Sequence, residues 1–331
     1  MHPLANDVIT MVEQVLGSGR SVRIIGDIDL GRGVFSHVIR CGVDHPGGTV
    51  AVKLLRSDAN GAAAVASGAA AREVLAYEHL LPATPSVRSP ACLGIATDSI
   101  GRPALVLEDL TDHRWSDQLD GLNDVDLRAV TSELIHLHEA WAGSPALDTI
   151  EVRRSTPASL PDAGIDRGLE ALDRWGIGEQ HQQALRDLAS ARTTCVPAFV
   201  AEGGATLCHG DPRADNVAFD HDGRAVLFDW QQMAIQFGEA DVAWLLATSV
   251  TPETRRSLEA DIVASYAMAR GQDAATTWHR YVLGMVLPGL SVLFLAQRDS
   301  TDERTRRFIA TSIERIASAV DDLGVARLAN R

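Results

Sequence analysis

The chain has 331 residues and a formal net charge of −14, and it is long enough to bury a large core in one or two compact units. A composition of 46% hydrophobic and 22% charged residues is that of an ordinary globular protein and excludes a disordered or fibrous chain. Residues 1–107 carry nine basic and nine acidic side chains, whereas residues 108–331 carry 21 and 35, so all the excess negative charge lies in the second part. That argues against nucleic acid and against an anionic membrane surface as partners, and a cationic small molecule would suit it.

In chain order, residues 1–17 space their apolar side chains as an amphipathic helix. They lack the basic n-region and apolar core of a secretory signal. Segments rich in Val and Ile at 21–30, 35–43 and 48–55 predict three β-strands, joined by the turn-forming GRG (31–33) and DHPGG (44–48). Residues 62–81 predict one helix, with Glu73, Tyr77 and Leu80 at helical spacing, and 91–97 and 102–110 predict two further strands. From about Asp126 the pattern becomes mainly helical, beginning with Leu127, Val130, Leu134, Leu137 and Trp141 on one face. Within it, residues 205–232 read as two short strands around a DHDG turn, followed by a helix over 239–247 and a helical remainder.

The apolar run Tyr281–Ala296 is broken by Pro288 and Gly289 and is short for a bilayer, so it reads as a buried helix pair. Cys41, Cys92, Cys195 and Cys208 show neither CxxC nor zinc spacing and read as reduced, buried thiols of a cytoplasmic protein. The pattern as a whole predicts an α+β chain with a small antiparallel-sheet lobe, 1–107, and a larger helical lobe, 108–331. A cleft between two such lobes is a common place for a ligand.

The chemistry concentrates at His209-Gly210-Asp211-Pro212-Arg213-Ala214-Asp215-Asn216 and, after the strand–turn–strand, at Phe228-Asp229-Trp230. Phosphoryl transfer needs a carboxylate to orient the attacking hydroxyl and take its proton, plus oxygen ligands for Mg²⁺ on the phosphates. Asp211 and Asn216, five residues apart on one loop, can supply the base and one metal ligand, and Asp229 can supply the other. Mg²⁺ accepts so sparse a set because it keeps waters and takes phosphate oxygens as well. Taken singly, each of these residues could equally cap a turn.

The chain has one lysine, Lys53, against 29 arginines. It falls in the apolar strand segment VAVKLL, and Glu73 follows on the next helix. That order fits a strand lysine on the α/β-phosphates held by a helix glutamate, a role in which a wider planar guanidinium does not substitute. GRGVFSHV (31–38) could cover the phosphates through main-chain N–H groups, with Gly31 and Gly33 in the turn and Ser36 as a hydroxyl donor, although a plain hairpin turn accounts for it equally. In LVLEDL (105–110), Glu108 and Leu110 can offer main-chain groups to a nucleobase edge. His136 and His138 are two apart, so they point to different faces, and His138 reads as a packed structural residue.

These pieces resemble the aminoglycoside phosphotransferase and choline kinase-like family, which shares the protein-kinase fold. The matching segments are His-Gly-Asp…Asn (209–216), Phe-Asp-Trp-Gln (228–231), LVLEDL, LIHLHEAW (134–141) and ADVAWLL (240–246), in family order across about residues 20–250. The resemblance implies a bilobal small-molecule kinase that uses ATP or GTP with Mg²⁺. It implies Asp211 as base, Asn216 and Asp229 as metal ligands, and Lys53–Glu73 as the phosphate-holding pair. It also places Arg213 where it could neutralise the γ-phosphate, and makes Asp241 a structural brace of the catalytic loop. HGD in place of H-R-D, with no A-P-E segment after Asp229, disfavours a protein kinase. A catalytically silent nucleotide-binding sensor or scaffold of the same fold is the alternative, and it would have no physical need for Lys53, Asp211, Asn216 and Asp229 together.

Overall fold

A computed structural model of the chain describes residues 5–27, 35–44, 48–150, 161–203 and 205–330. The elements run α1 (Ala5–Leu16), β1 (Val22–Asp27), β2 (Ser36–Val43), β3 (Thr49–Leu55), α2 (Ala59–Ala66), α3 (Ala69–Leu75), β4 (Cys92–Thr97), β5 (Pro103–Glu108) and β6 (Arg114–Trp115). Next come α4 (Asp124–Trp141), α5 (Asp162–Ala171), α6 (Glu179–Ala201), β7 (Ala205–Cys208), β8 (Val217–Phe219), β9 (Ala225–Leu227) and β10 (Ala234–Phe237). The chain closes with α7 (Glu239–Ser249), α8 (Pro252–Ala269), α9 (Ala274–Gly284), α10 (Val286–Ala296) and α11 (Glu303–Leu323). They gather into two compact units: Met1–Trp115 with Ala218–Gln232, and Ser116–Val217 with Met233–Arg331.

The first unit is built on a five-stranded sheet in the order β1-β2-β3-β5-β4, antiparallel throughout. Successive side chains on a strand point to opposite faces. On β3, Val50, Val52 and Leu54 enter a core with Ile39, Val106 and the helix residues Val8, Met11 and Val12. Those three helix positions form the apolar stripe that holds α1 against the sheet. The same alternation sends Lys53 to the other face, which is how a charged residue survives inside an apolar strand.

The helix expected over 62–81 is not continuous. Gly68 sits at φ +71, a left-handed conformation that only glycine adopts at little cost, and it separates α2 from α3. Residues Ala76–Leu80 then form a single π-helical turn, a widening often found at functional sites. A second, three-stranded sheet orders β6-β8-β9, with Arg114 opposite Phe219 and Trp115 opposite Ala218. Leu110, Ala218, Val226 and Phe228 pack into a small apolar cluster beneath it.

The second unit is mainly helical. Its β-structure includes the ribbon β7–β10, which pairs Cys208 with Ala234 and Ala205 with Phe237. The sequence reading did not include β10, a four-residue strand buried along its length whose pairing lies 26 or more positions away. Helix α7 is buried at every position except Trp244. Residues Ala274–Ala296 are long and apolar enough to cross a membrane by length and composition, yet 72% of that window is buried inside the protein. They form a helix pair, α9 and α10, but the division falls at Met285 and not at Pro288 and Gly289, which lie within the first turn of α10, where a proline's missing N–H costs little.

Candidate active site

In the first unit, Lys53 is the centre of a three-residue ion cluster. Its Nζ donates to Glu73 Oε1 at 2.6 Å and to Asp229 Oδ1 at 2.7 Å. The Lys53 and Glu73 side chains are 13% and 8% exposed, so the charges sit in a medium that strengthens their attraction. Burial pulls the ammonium toward its neutral form, but the two carboxylates more than offset this and hold it protonated, above the ordinary lysine range. Glu73 is pushed upward, first by burial, which together with the charge of Asp229 outweighs the pull of Lys53.

Asp229 is fixed from two sides. Among the described residues it is the one non-glycine with positive φ, at 67. Such a conformation costs of order 1–3 kcal/mol and persists where the surroundings impose it. Here Gln231 Nε2 donates to Asp229 Oδ2 at 2.8 Å. The Arg72 guanidinium ties α3 to the Gln231 carbonyl at 2.9 Å, and the indole of Trp230 is buried and bonded to Ser89 Oγ at 3.1 Å. The strain is thus spent on presenting a carboxylate to the lysine.

In the second unit, the loop after β7 carries Asp211. Its Oδ1 accepts from Trp244 Nε1 at 2.8 Å, and its Oδ2 accepts from Asn216 Nδ2 at 3.0 Å. Asn216 is buried, and Nδ2 also donates to the Asp211 carbonyl at 2.9 Å. Both amide hydrogens are therefore engaged on the loop, and the amide oxygen is the side chain's remaining donor of lone pairs. Arg213 brings Nε to 3.6 Å from Asp211 Oδ2 and lays its guanidinium 5.6 Å over the Phe308 ring.

Beneath the loop lies a buried brace. Asp241, on α7, accepts from the His209 N–H at 2.7 Å and the Gly210 N–H at 2.9 Å, with His138 Nε2 at 3.1 Å. His138 Nδ1 meets the Tyr266 hydroxyl at 2.7 Å, and Arg270 donates to that hydroxyl oxygen at 2.7 Å. With Arg270 as donor, the hydroxyl hydrogen is directed at Nδ1 and the imidazole donates from Nε2 to Asp241. His138, Cys208 and Asp241 hold their ligand atoms within 4.8 Å of one another, a spacing a metal could use. Both ring nitrogens of His138 and both oxygens of Asp241 are engaged in this brace, however. The Cys208 thiol faces the Gln236 and Phe237 carbonyls, and burial pushes that thiol well above its usual range, away from the thiolate a metal needs.

The remaining expected residues are less telling. Gly31 and Gly33 lie outside the described residues. Ser36 opens β2, is buried and stands opposite Leu55. The Glu108 side chain forks onto Arg88 at 2.6 and 3.0 Å and accepts the Ala91 N–H at 2.9 Å. Burial opposes its charge, but these partners outweigh it and hold the carboxyl below its ordinary value, and the Glu108 N–H itself donates to the Ala91 carbonyl at 2.8 Å. The Leu110 carbonyl accepts from the His113 N–H and from Trp115 Nε1, which leaves its N–H as the group it can offer. Trp244, Gln231 and Tyr266 hold roles that the sequence does not assign. Gln231 and Trp244 fall within the matching segments 228–231 and 240–246, Trp244 three residues after Asp241 on the same helix face, and Tyr266 falls in none of them.

An amide oxygen, which Asn216 offers in the second unit, and a carboxylate, which Asp229 offers in the first, are each the kind of hard oxygen ligand that Mg²⁺ prefers.

Residues 35–281 match the phosphotransferase enzyme family. Among solved structures, the chain is similar to the GDP complex of aminoglycoside 2'-phosphotransferase-IIIa, at 15% identity over 97% of this chain and 99% of that one, with a TM-score of 0.61. It is also similar to a choline/ethanolamine kinase family protein from Mesorhizobium loti, at 17% identity over 98% and 99%, TM-score 0.59. A choline kinase from Streptococcus pneumoniae aligns at 13% identity over 95% and 99%, TM-score 0.55. A comparison with curated proteins finds no match. At such identities the structural likeness speaks for the fold, an α+β kinase-like arrangement of a small antiparallel sheet and a larger helical part.

Proposed function

This chain belongs to the phosphotransferase enzyme family, and on that premise we propose that it moves the γ-phosphate of ATP or GTP to a hydroxyl of a small molecule. The observation that carries the reading is the only lysine of the sequence, buried between Glu73 and Asp229. A buried charge is costly unless something requires it, and a phosphate-gripping lysine held by a helix glutamate supplies that requirement.

The roles follow from each side chain's chemistry. Lys53 steadies the α/β-phosphates, and Glu73 fixes its direction. Asp211 takes the proton as the acceptor O–H bond breaks and the new O–P bond forms, while the β–γ bridging bond breaks with its electron pair on the departing nucleoside diphosphate. Arg213, always charged, offsets charge on the transferring group. Asn216 and Asp229 would hold Mg²⁺, which when bound screens the phosphate oxygens from the nucleophile and orients them. Glu108 and Leu110 would meet the nucleobase through main-chain groups, and the segment with Gly31, Gly33 and Ser36 would cover the phosphates.

An amine-bearing polyhydroxyl acceptor is the class we favour. Several similar structures are described as aminoglycoside phosphotransferases or choline kinases, and the excess acidic charge is confined to residues 108–331. The test is nucleotide consumption by purified protein, with MgATP and MgGTP each offered against a panel of amino sugars, amino alcohols and neutral sugars. Asp211→Asn is expected to bind nucleotide and lose about 10²–10⁴-fold in turnover. Near-full activity of that variant would refute the assignment of the base, and tight binding without turnover of any acceptor would favour the silent sensor.

A further inference from the structure

We propose that Trp244 is a positioning residue for Asp211, its indole N–H setting the plane in which the carboxylate meets the acceptor hydroxyl. The inference rests on the reading of Asp211 as the base.

A carboxylate attached through a rotatable bond presents its lone pairs usefully only if both oxygens are held. Asn216 bonds Oδ2 from within the same loop, and Arg213 Nε stands 3.6 Å from the same oxygen. Trp244 holds Oδ1 at 2.8 Å from a different element. Asp241 and Trp244 are i and i+3 on α7 and so share one face. Asp241 takes the main-chain N–H groups of residues 209 and 210, and Trp244 takes the side chain of residue 211. Further along, Ser249 Oγ accepts the Ala214 N–H at 3.0 Å. One rigid helix thereby fixes successive points of the loop, and the base inherits its direction from the helix.

The choice of indole has a chemical logic. An indole N–H only donates and never titrates in the working range, so it orients the carboxylate without adding a charge to the one that Arg213 already brings to Oδ2. Hydrogen bonds to a charged acceptor are short and favour the ionised form. The burial pattern sets this residue apart: Trp244 is the one position of α7 that is not fully buried. A tryptophan serving only as core filling has no reason to turn its N–H toward a loop carboxylate from there.

The experiment compares wild type, Trp244→Phe and Asp211→Asn. Phosphate release from MgATP and MgGTP is followed with water as the acceptor, alongside the melting temperature. In Trp244→Phe, kcat is expected to fall about tenfold, the scale of a hydrogen bond to a charged group, with nucleotide KM unchanged. A packing role would lower the melting temperature along with kcat, whereas a positioning role lowers kcat and leaves both the melting temperature and the nucleotide KM in place.

A second measurement needs no folded Trp244 variant. With ¹⁵N-labelled indoles, one of the six tryptophan signals should shift in Asp211→Asn. Wild-type kcat in Trp244→Phe, in an enzyme that Asp211→Asn inactivates, would overturn the inference, as would a kcat loss matched by a fall in melting temperature, or indole signals all indifferent to Asp211→Asn. If the indole responds but wild type releases no phosphate from either nucleotide, the phosphotransfer reading falls, and the positioning role falls with it.

Discussion

Replacing Lys53 by methionine keeps an unbranched side chain, shorter by the terminal nitrogen, and removes its charge. The variant loses two hydrogen-bonded ion pairs, of 2.6 and 2.7 Å, and leaves two carboxylates that are 8% and 18% exposed without their shared cation. Breaking a buried pair by deleting one partner costs roughly 3–5 kcal/mol, a large share of the ~5–15 kcal/mol that holds a typical domain together. The cost should depend on pH, with a definite sign. Burial already pushes Glu73 upward against the pull of Lys53, and without the ammonium the folded state holds the Glu73 proton more firmly still. A group whose folded pKa lies above its unfolded value takes away stability as pH rises between the two, by up to ~1.4 kcal/mol per pH unit. Lys53→Met should therefore lie nearer to wild type at about pH 5 than at about pH 8. Urea unfolding of both proteins at the two pH values measures this. A difference below about 1 kcal/mol at both, the scale of an exposed ion pair, would refute the buried cluster.

Two further outcomes are expected. In Gly238→Ala the new Cβ would lie 2.3 Å from the Tyr266 hydroxyl and 2.6 Å from His138 Nδ1. The overpacking should cost about 1–3 kcal/mol and lower Tm by roughly 2–4 °C per kcal/mol; turnover should drop with it as Asp241 loses its alignment, and a wild-type Tm and rate would show that the brace has slack. Asp229→Ala should fold and bind nucleotide without any gain from Mg²⁺ in calorimetry, and an unchanged metal dependence would remove Asp229 from the ligand set.

Much of the candidate site was legible in the sequence because its signals are local. Asp211 and Asn216 lie on one loop, Asp229 follows a short strand, and Lys53 is the only residue of its kind. The antiparallel strands were readable from their alternation, and α4 from its apolar face. The residues that hold the site in place were hidden because their partners are distant in the chain. Tyr266 reaches His138 across 128 positions, and Trp244 reaches Asp211 across 33. Nothing near Tyr266 marks its contact, and the sign near Trp244 is only that Asp241 precedes it by three residues on α7. Gly68 could have warned of the break in the 62–81 helix, but glycine inside a helical pattern is a cost and not a prohibition. The four-residue β10 is too short for its alternation to stand out from the helices around it.

The division of the chain carries a consequence for how the protein is made. Residues 218–232 belong to the compact unit whose other members end at Trp115, and Asp229 is 176 positions downstream of Lys53. At a ribosome adding about 5–20 residues per second, Asp229 is synthesised roughly 9–35 s after Lys53. During that interval the five-stranded sheet can pair, but Lys53 has only Glu73 for company and Leu110 lacks the apolar partners that arrive with Ala218, Val226 and Phe228. A nascent chain stalled before Phe219 would present an unfinished hydrophobic face and a cation short of one counter-charge, the kind of surface that chaperones bind. Vectorial synthesis therefore completes this unit late, in one step, when the strand–turn–strand around Asp220–Gly223 emerges.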